Sequence, residues 1–395
     1  MKIAYLSVYR DSTGYANQAV NNMLAMDSVG LDVVARSIRL SNNTNEALSN
    51  RVRHLEDKQT DGVDVVIQHI LPHMFEFKSG IKNIGLFDWE TTHFDRSNWP
   101  QCCNMMDEIW VPSLQNVAAA KQSNVQVPIK ILPCAGDILR FNKDKQPLNI
   151  QKLKDKCVFY TIGELSRRKN IIAIIRAFYG TFTSRDNVAL VIKTSSPNQS
   201  PADVTELIKK MCIDIKKSMH LYIEHDYYPP VICISDFLTD IEIDRLHLSG
   251  DVFVSASHGE AWGIPAHDAM GFSNPVILSN WGSYPELVLE MASSYWNPDT
   301  QKFTNSGDID CGWLIDGCLT SCFGQTDSFP DLYTGNELWF EPNIEHLGSC
   351  MKSAYGEWGS GLLAEKGKAA HNRAKKFSYT NVGKIAKQLL EDSGE

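Results

Sequence analysis

Glu260, Gly263, Pro265 and Asp268 lie close together in the stretch 251–288, which reads DVFVSASHGEAWGIPAHDAMGFSNPVILSNWGSYPELV. The apolar run 252–254 predicts a strand, and the residues after it a polar loop carrying Glu260 and Gly263. Pro265 predicts the start of a helix whose first turn holds Asp268, because a first-turn residue has no intrahelical partner for its N–H. A helix N-terminus above a strand's carboxyl end offers free N–H groups and a favourable dipole to an anion. The glycine lets a ligand approach, and Glu260 can accept hydrogen bonds from hydroxyls. Phosphate and polyol held at one corner describe a nucleotide-sugar.

A second constellation is cationic. Gly163-Glu164-Leu165-Ser166-Arg167-Arg168-Lys169-Asn170 follows the apolar run CVFYTI and opens a helical pattern. Lysine and arginine at such a turn can meet the charge that accumulates on a departing diphosphate. The bland alternative is a solvated helix start. Near the N-terminus, the turn Asp11-Ser12-Thr13-Gly14-Tyr15-Ala16 has one glycine, too few for a phosphate-cradling loop by itself. The loop 87–93, FDWETTH, follows the apolar run KNIGL and carries His93, which in a polar loop reads by itself as an exposed histidine. Asp308-Ile309-Asp310 matches a metal-binding DxD, but three residues recur easily in an acid-rich chain, and a surface turn is expected there. Cys311, Cys318 and Cys322 lack the paired CxxC spacing of structural zinc sites. No metal ligand set is assigned.

These turns must be positioned by a framework that the chain also spells out. Apolar runs KIAYLSVY, LDVVARS, DVVIQHI, KNIGLF, DEIWVPS and IKILP alternate with helical stretches and read as strands of a parallel sheet. The residues 140–156 are polar and lysine-rich, as a solvated linker would be. A second alternating set follows: CVFYTIGE, VALVIKT, VICIS, DVFVSAS and PVILSN as strands, with helices at 170–179 and 204–217. The residues 320–343 read as irregular, and the last fifty or so as helical. Strand–helix alternation implies doubly wound sheets, which take ligands beyond the strands' carboxyl ends.

The 395 residues suit two domains. Hydrophobic residues at 43% and charged ones at 22% exclude a disordered chain. The net charge of −9 gives no general reason to expect nucleic-acid binding. Ten scattered cysteines, two of them adjacent at Cys102-Cys103, suit reduced thiols. No apolar run is long enough to span a bilayer, no signal peptide precedes the first strand, and a cytoplasmic location is expected.

The second half resembles the GT-B glycosyltransferases, in particular the retaining family four, whose pattern is close to EGFGxPxxEAMAxGxPVI. Glu260, Trp262, Gly263, Pro265, Ala269, Met270, Pro275, Val276 and Ile277 fall in register. Asp268 replaces the second glutamate and Asn274 a glycine. Gly282, Pro285 and Glu286 match a GGxPE-like element, and Gly312-Trp313-Leu314 the segment after it. The cationic turn is similar to the family's GRLxxxKG element, with Lys169 at the phosphate-binding lysine. Glu164 stands where the family has arginine, so that either Arg168 or Arg167 takes that role or the donor pocket differs.

The resemblance implies an α/β GT-B fold, with two Rossmann-like domains whose parallel sheets face across a cleft. It divides the chain into an acceptor-side domain 1–140, a linker 141–156, a nucleotide-sugar domain 157–354 and helices 355–395 crossing back. It implies that Glu260 holds donor-sugar hydroxyls and Asp268 the ribose, with Trp262 and Gly263 lending backbone N–H groups. Phe237 and Leu238 fall where the family holds the base, while Gly163 and Gly14 border the phosphates. The implied activity is a retaining, metal-independent hexosyl transfer from a nucleotide-sugar, UDP- or GDP-linked, to an acceptor hydroxyl. Lys169, Arg168, Glu260 and His93 are the catalytic candidates, and no cofactor beyond the donor is expected. The acceptor stays open among a glycan, a small molecule and a modified DNA base, the last as in viral enzymes of this architecture. A sugar-nucleotide-binding protein without transfer, or a GT-B epimerase, is the other alternative.

Overall fold

Two parallel sheets, each with helices packed on it, are the frame in the computed structural model, which describes residues 1–39, 48–142, 144–197, 199–222, 224–290, 296–297, 302–303, 307–323 and 331–392. The chain forms two compact units. Unit 1 comprises 1–140, 321–338 and 375–395; unit 2 comprises 141–320 and 339–374.

In unit 1 the strands are β1 (Lys2–Ser7), β2 (Asp32–Ser37), β3 (Val65–His69), β4 (Lys82–Leu86), β5 (Glu108–Val111) and β6 (Ile129–Ile131). They lie in the order β2-β1-β3-β4-β5-β6, every pair parallel. All but short β6 are largely buried, which is why they read as near-continuous apolar runs. Helices α1 (Gly14–Ser28), α2 (Asn50–Asp57), α3 (Trp99–Asn104) and α4 (Leu114–Gln122) link them. Thr13 and Ser113 cap α1 and α4, each accepting from a backbone N–H three residues on. The strand order reverses at β1, so β1 and β3 flank the switch point where such sheets bind ligands.

Unit 2 repeats the logic with β7 (Cys157–Glu164), α5 (Ile171–Thr181), β8 (Val188–Ser195), α6 (Pro201–Met219), β9 (Val231–Ile234), α7 (Asp240–His247), β10 (Val252–Ser255), α8 (Ile264–Gly271), β11 (Val276–Ser279) and α9 (Tyr284–Val288). Two short strands, β12 (Trp296–Asn297) and β13 (Lys302–Phe303), pair with each other. They precede β14 (Gly307–Ile309) and β15 (Gly312–Ile315). The seven strands run β14-β15-β11-β10-β7-β8-β9, and β14 alone is antiparallel to its neighbour. The switch point falls at β7, between β10 and β8. Asn274, the departure from glycine, has a structural use: its amide donates to Tyr160 Oη at 2.8 Å and to the His247 carbonyl at 2.6 Å.

Several expectations are corrected. The residues 320–343 are not irregular where described: β16 (Gly317–Phe323) and β17 (Thr334–Pro342) pair as a two-stranded sheet, with 324–330 outside the described residues. Asp308 lies in β14 and not in a turn, and it is ion-paired to Lys366. The helices α10 (Ile344–Glu357) and α11 (Leu362–Ala374) belong to unit 2, and only the residues from 375 onward, with α12 (Tyr379–Glu391), join unit 1. There α12 packs on α1, with Gly383 so close to the Ala25 carbonyl that a Cβ would collide with it. In the lysine-rich stretch, Lys143 lies outside the described residues and Lys145 is ion-paired to Asp244.

Candidate active site

The turns that leave β7 and β10 meet. Lys169 Nζ donates to Glu260 Oε1 at 2.6 Å. Arg168 Nη1 donates to the Gly259 carbonyl at 2.7 Å and lies 3.4 Å from the same Glu260 oxygen. The His258 N–H donates to the Arg168 carbonyl at 2.8 Å, tying the two loops by backbone as well. Glu260 is 6% exposed. Burial alone would raise its carboxyl, but Lys169 and Arg168 outweigh that and hold it below the ordinary value, so it is ionised. The stem of Lys169 packs over Gly163, which has no side chain in the way.

A third turn clamps the acidic loop. The Ser283 N–H donates to the Glu260 carbonyl at 3.2 Å, and Ser283 Oγ donates to the Trp262 carbonyl at 2.7 Å. Gly282 has φ +70°, and a Cβ there would strike the Glu260 carbonyl oxygen. Gly263, the N-cap of α8, has φ +91°, and a Cβ would strike the Tyr284 ring. Both positions therefore need glycine. Tyr284 itself is buried and donates to Ser255 Oγ at 2.9 Å. With Thr161, Ile162, Gly163, Lys169 and Pro265 it lines a crevice at the carboxyl ends of β7 and β10.

Helix α8 starts at Ile264 and not at Pro265, with no side chain capping its first N–H groups. Asp268 consequently falls in the second turn, not the first, and is 9% exposed. Stabilising the helix dipole is thus not its role, since that effect fades beyond the first turn. The Trp262 side chain is buried. Arg167 does not join Glu260: its guanidinium sits 5.4 Å over the Trp339 ring. It lines a separate cavity of about 450 Å³ with Asn170, Arg176, His258 and Glu341. Glu164 ends β7 exposed. Phe237 is 86% exposed between β9 and α7, next to half-buried Leu238.

In unit 1 the structure adds residues to those expected. His93 is engaged within its own loop, 2.9 Å from Thr92 Oγ1 and 3.6 Å from Asp95. Gly14 begins α1 without a positive φ and faces open space. At the switch point, however, Ser7 and His69 are register partners on β1 and β3. Both are fully buried. Ser7 Oγ, His69 Nε2 and the hydroxyl of Tyr15 have no hydrogen-bond partner among the described residues. Tyr5 Oη lies 2.8 Å from His69 Nδ1, and the Tyr15 ring stands edge-on to the imidazole at 4.7 Å. Burial pushes the imidazole down to about 3, so it is neutral. Polar residues ending the apolar run of β3 were the available signal for His69. For Tyr284 it was a place inside the Gly282–Glu286 element.

The Lys169–Glu260–Arg168 cluster falls inside a recognised segment. Residues 142–302 match the family model for glycosyl transferases group 1. The chain is also similar to an uncharacterized glycosyltransferase of Methanocaldococcus jannaschii, 27% identical over 150 residues. That match covers 37% of this chain, and the chain spans only 34% of the relative's length. Among solved structures, Anabaena HepE in complex with UDP is similar at a TM-score of 0.64 and 12% identity, over 99% of this chain and 100% of that one. HepE is also known in complex with UDP-glucose. Sucrose-phosphate synthase of Thermosynechococcus elongatus is similar at a TM-score of 0.63 and 14% identity, over 99% and 98%. The two-domain α/β architecture with parallel sheets is thus the GT-B fold. No helix among the described residues is long and apolar enough to cross a membrane. No group of three or more metal-ligating side chains occurs among them.

Proposed function

We propose that this chain is a retaining, family-four-type hexosyltransferase that moves a sugar from a UDP- or GDP-linked donor to a hydroxyl acceptor without a metal ion. The observation that carries this reading is the buried Lys169–Glu260–Arg168 cluster inside the group 1 segment. Lys169 and Arg168 supply positive charge where the leaving diphosphate accumulates negative charge, the term that contributes most when it is preorganised in a dry site. Glu260 accepts from donor-sugar hydroxyls and Asp268 from the ribose. Gly263 and the uncapped start of α8 let the phosphates approach backbone N–H groups. The anomeric C–O bond to the diphosphate breaks while the acceptor oxygen bonds the same carbon on the same face. The acceptor's proton passes to the leaving phosphate oxygen. Ser7, Tyr15 and His69 are groups we assign to the acceptor together with His93.

UDP-glucose and a GDP-linked hexose are offered with a panel of hydroxyl acceptors, and both nucleoside diphosphate release and the product anomer are measured. A retained anomer and diphosphate release are expected. Binding without release in every case would leave only a sugar-nucleotide-binding protein. Lys169→Ala should slow transfer by about 10²–10³-fold, the loss typical of one transition-state donor. Lys169→Gln, which keeps an N–H donor for buried Glu260 but no charge, should be similarly slow with an unchanged circular dichroism spectrum. Near-wild-type turnover in either would overturn the lysine's role.

A further inference from the structure

The otherwise apolar strand β8 carries one lysine near its carboxyl end. Lys193 is 8% exposed, and no hydrogen bond or ion pair joins its ammonium to another described residue. Its stem is buried while the ammonium keeps some access to solvent, so an unpaired charge there is only partly hydrated. Burial pushes the ammonium below the ordinary lysine value, and the nearby Cys233 and Asp236 offset this only in part. Two neighbouring features are also unspent. Thr194 Oγ1 is buried without a partner, and Phe237 holds its ring in the open just past β9.

Strand register locates these groups. Lys193 is level with Ile162 on β7 and Ile234 on β9, so all three side chains share one sheet face. Ile162 borders the crevice that holds Lys169 and Tyr284. Along the order β10-β7-β8-β9, the diphosphate cations sit at β10 and β7, and Lys193 and Phe237 lie one and two strands further. On the donor site proposed above, a nucleoside diphosphate anchored at β7 would extend its base toward that edge.

We infer that Lys193 is a specificity residue that reads the donor's nucleobase at pyrimidine C4 or purine C6 and selects a carbonyl there, as in uracil or guanine, over an amino group, as in cytosine or adenine. This rests on the donor site proposed above. An ammonium has three donors and no acceptor. A carbonyl oxygen at the base edge satisfies it, with Phe237 offering a face for stacking. An exocyclic amino group presents N–H to N–H and leaves the charge unpaired. Sites built on a buried polar group discriminate strongly for that reason.

The test is competitive binding of UDP, CDP, GDP, ADP and inorganic pyrophosphate to the full chain, wild type and Lys193→Met. Wild type is expected to prefer UDP over CDP, or GDP over ADP, by at least about tenfold. In Lys193→Met that ratio should fall below about threefold while pyrophosphate affinity stays the same. Lys193→Arg, which keeps a donor-only cation, should retain the keto preference and guards against a merely unfolded variant. A wild type indifferent to the base, or a methionine variant that keeps the preference, overturns the inference and leaves the donor site standing. Failure of the wild type to bind any diphosphate takes down both.

Discussion

The carboxyl edges of the two sheets are built on opposite electrostatic plans. In unit 2 the edge is charged and internally matched: Glu260 is gripped by Lys169 and Arg168, and the loops around it are locked by backbone hydrogen bonds. In unit 1 the cluster at the switch point is itself uncharged and unsatisfied, with Ser7, Tyr15 and a neutral His69 holding hydrogen-bonding capacity that no described residue uses, while the acids Asp88 and Glu90 act on Tyr15 from beside it. A diphosphate calls for the first plan, because concentrated negative charge needs cations in low dielectric. It must also compete with Glu260 for Lys169. A hydroxyl calls for the second plan, where neutral donors and acceptors bind it without a competing ion pair.

The largest expected effect tests how rigid the charged edge is. Gly282→Ala forces a Cβ into the Glu260 carbonyl at a positive φ. It should destabilise by roughly 3–5 kcal/mol, combining backbone strain with a collision that no flexible side chain can relieve. Gly14→Ala, at the start of α1 in unit 1 with open space around it, should change stability by less than about 1 kcal/mol. Urea unfolding of both variants decides the matter. Equal costs would mean that the clamp on Glu260 is looser than its geometry.

The neutral edge has its own signature in acid. His69 is ordinarily half-protonated at 6.5, but in the fold it titrates at about 3. Between those values the unfolded chain binds the extra proton and the native chain does not, so stability falls as pH falls through that window. The slope due to this one group approaches about 1.4 kcal/mol per pH unit. Denaturation of wild type and His69→Gln at pH 7, 6 and 5 should show wild type losing stability faster by up to that amount. Parallel curves would mean that the imidazole is solvated or paired, and the acceptor assignment would lose its central residue.

The sequence exposes the charged edge far better than the neutral one, and the reason is physical. Glu260, Gly263, Lys169 and Gly282 sit in turns whose residue types are dictated by charge and backbone conformation, and such residues stand out from apolar strands. The eleven strands β1 to β11 likewise show as apolar runs, most of them buried. Ser7 and His69 are embedded in two of those runs, where a polar residue reads as strand interior, whereas His93 stands out through its place in the resemblance. Asp268 was read one turn too early because proline marks a helix start but not which helical position it fills; here Gly263 caps and Ile264 comes first. The ribbon β16–β17 escaped because its strands mix polar and apolar residues and form no continuous apolar run. Its Trp339 nevertheless stacks on His258, which donates its backbone N–H to Arg168.

The smallest expected effect addresses the departure at Glu164. In the resembling family an arginine follows the glycine of this turn, and its loss would weaken a phosphate site unless another cation stands in. Arg168 is placed to do so: it reaches the same carboxylate oxygen as Lys169, whereas Glu164 is exposed at the end of β7. A solvated position contributes little, so Glu164→Arg should shift stability by less than about 0.5 kcal/mol. It should also raise nucleoside diphosphate affinity by no more than about threefold, since a screened surface charge contributes under 1 kcal/mol. Arg168→Ala should weaken the same binding at least tenfold, because one charge-assisted hydrogen bond of about 1.5 kcal/mol or more is lost. If Glu164→Arg instead tightens binding more than Arg168→Ala weakens it, the positive charge of unit 2's edge is incomplete. The contrast between a matched and an unsatisfied edge would then have to be redrawn.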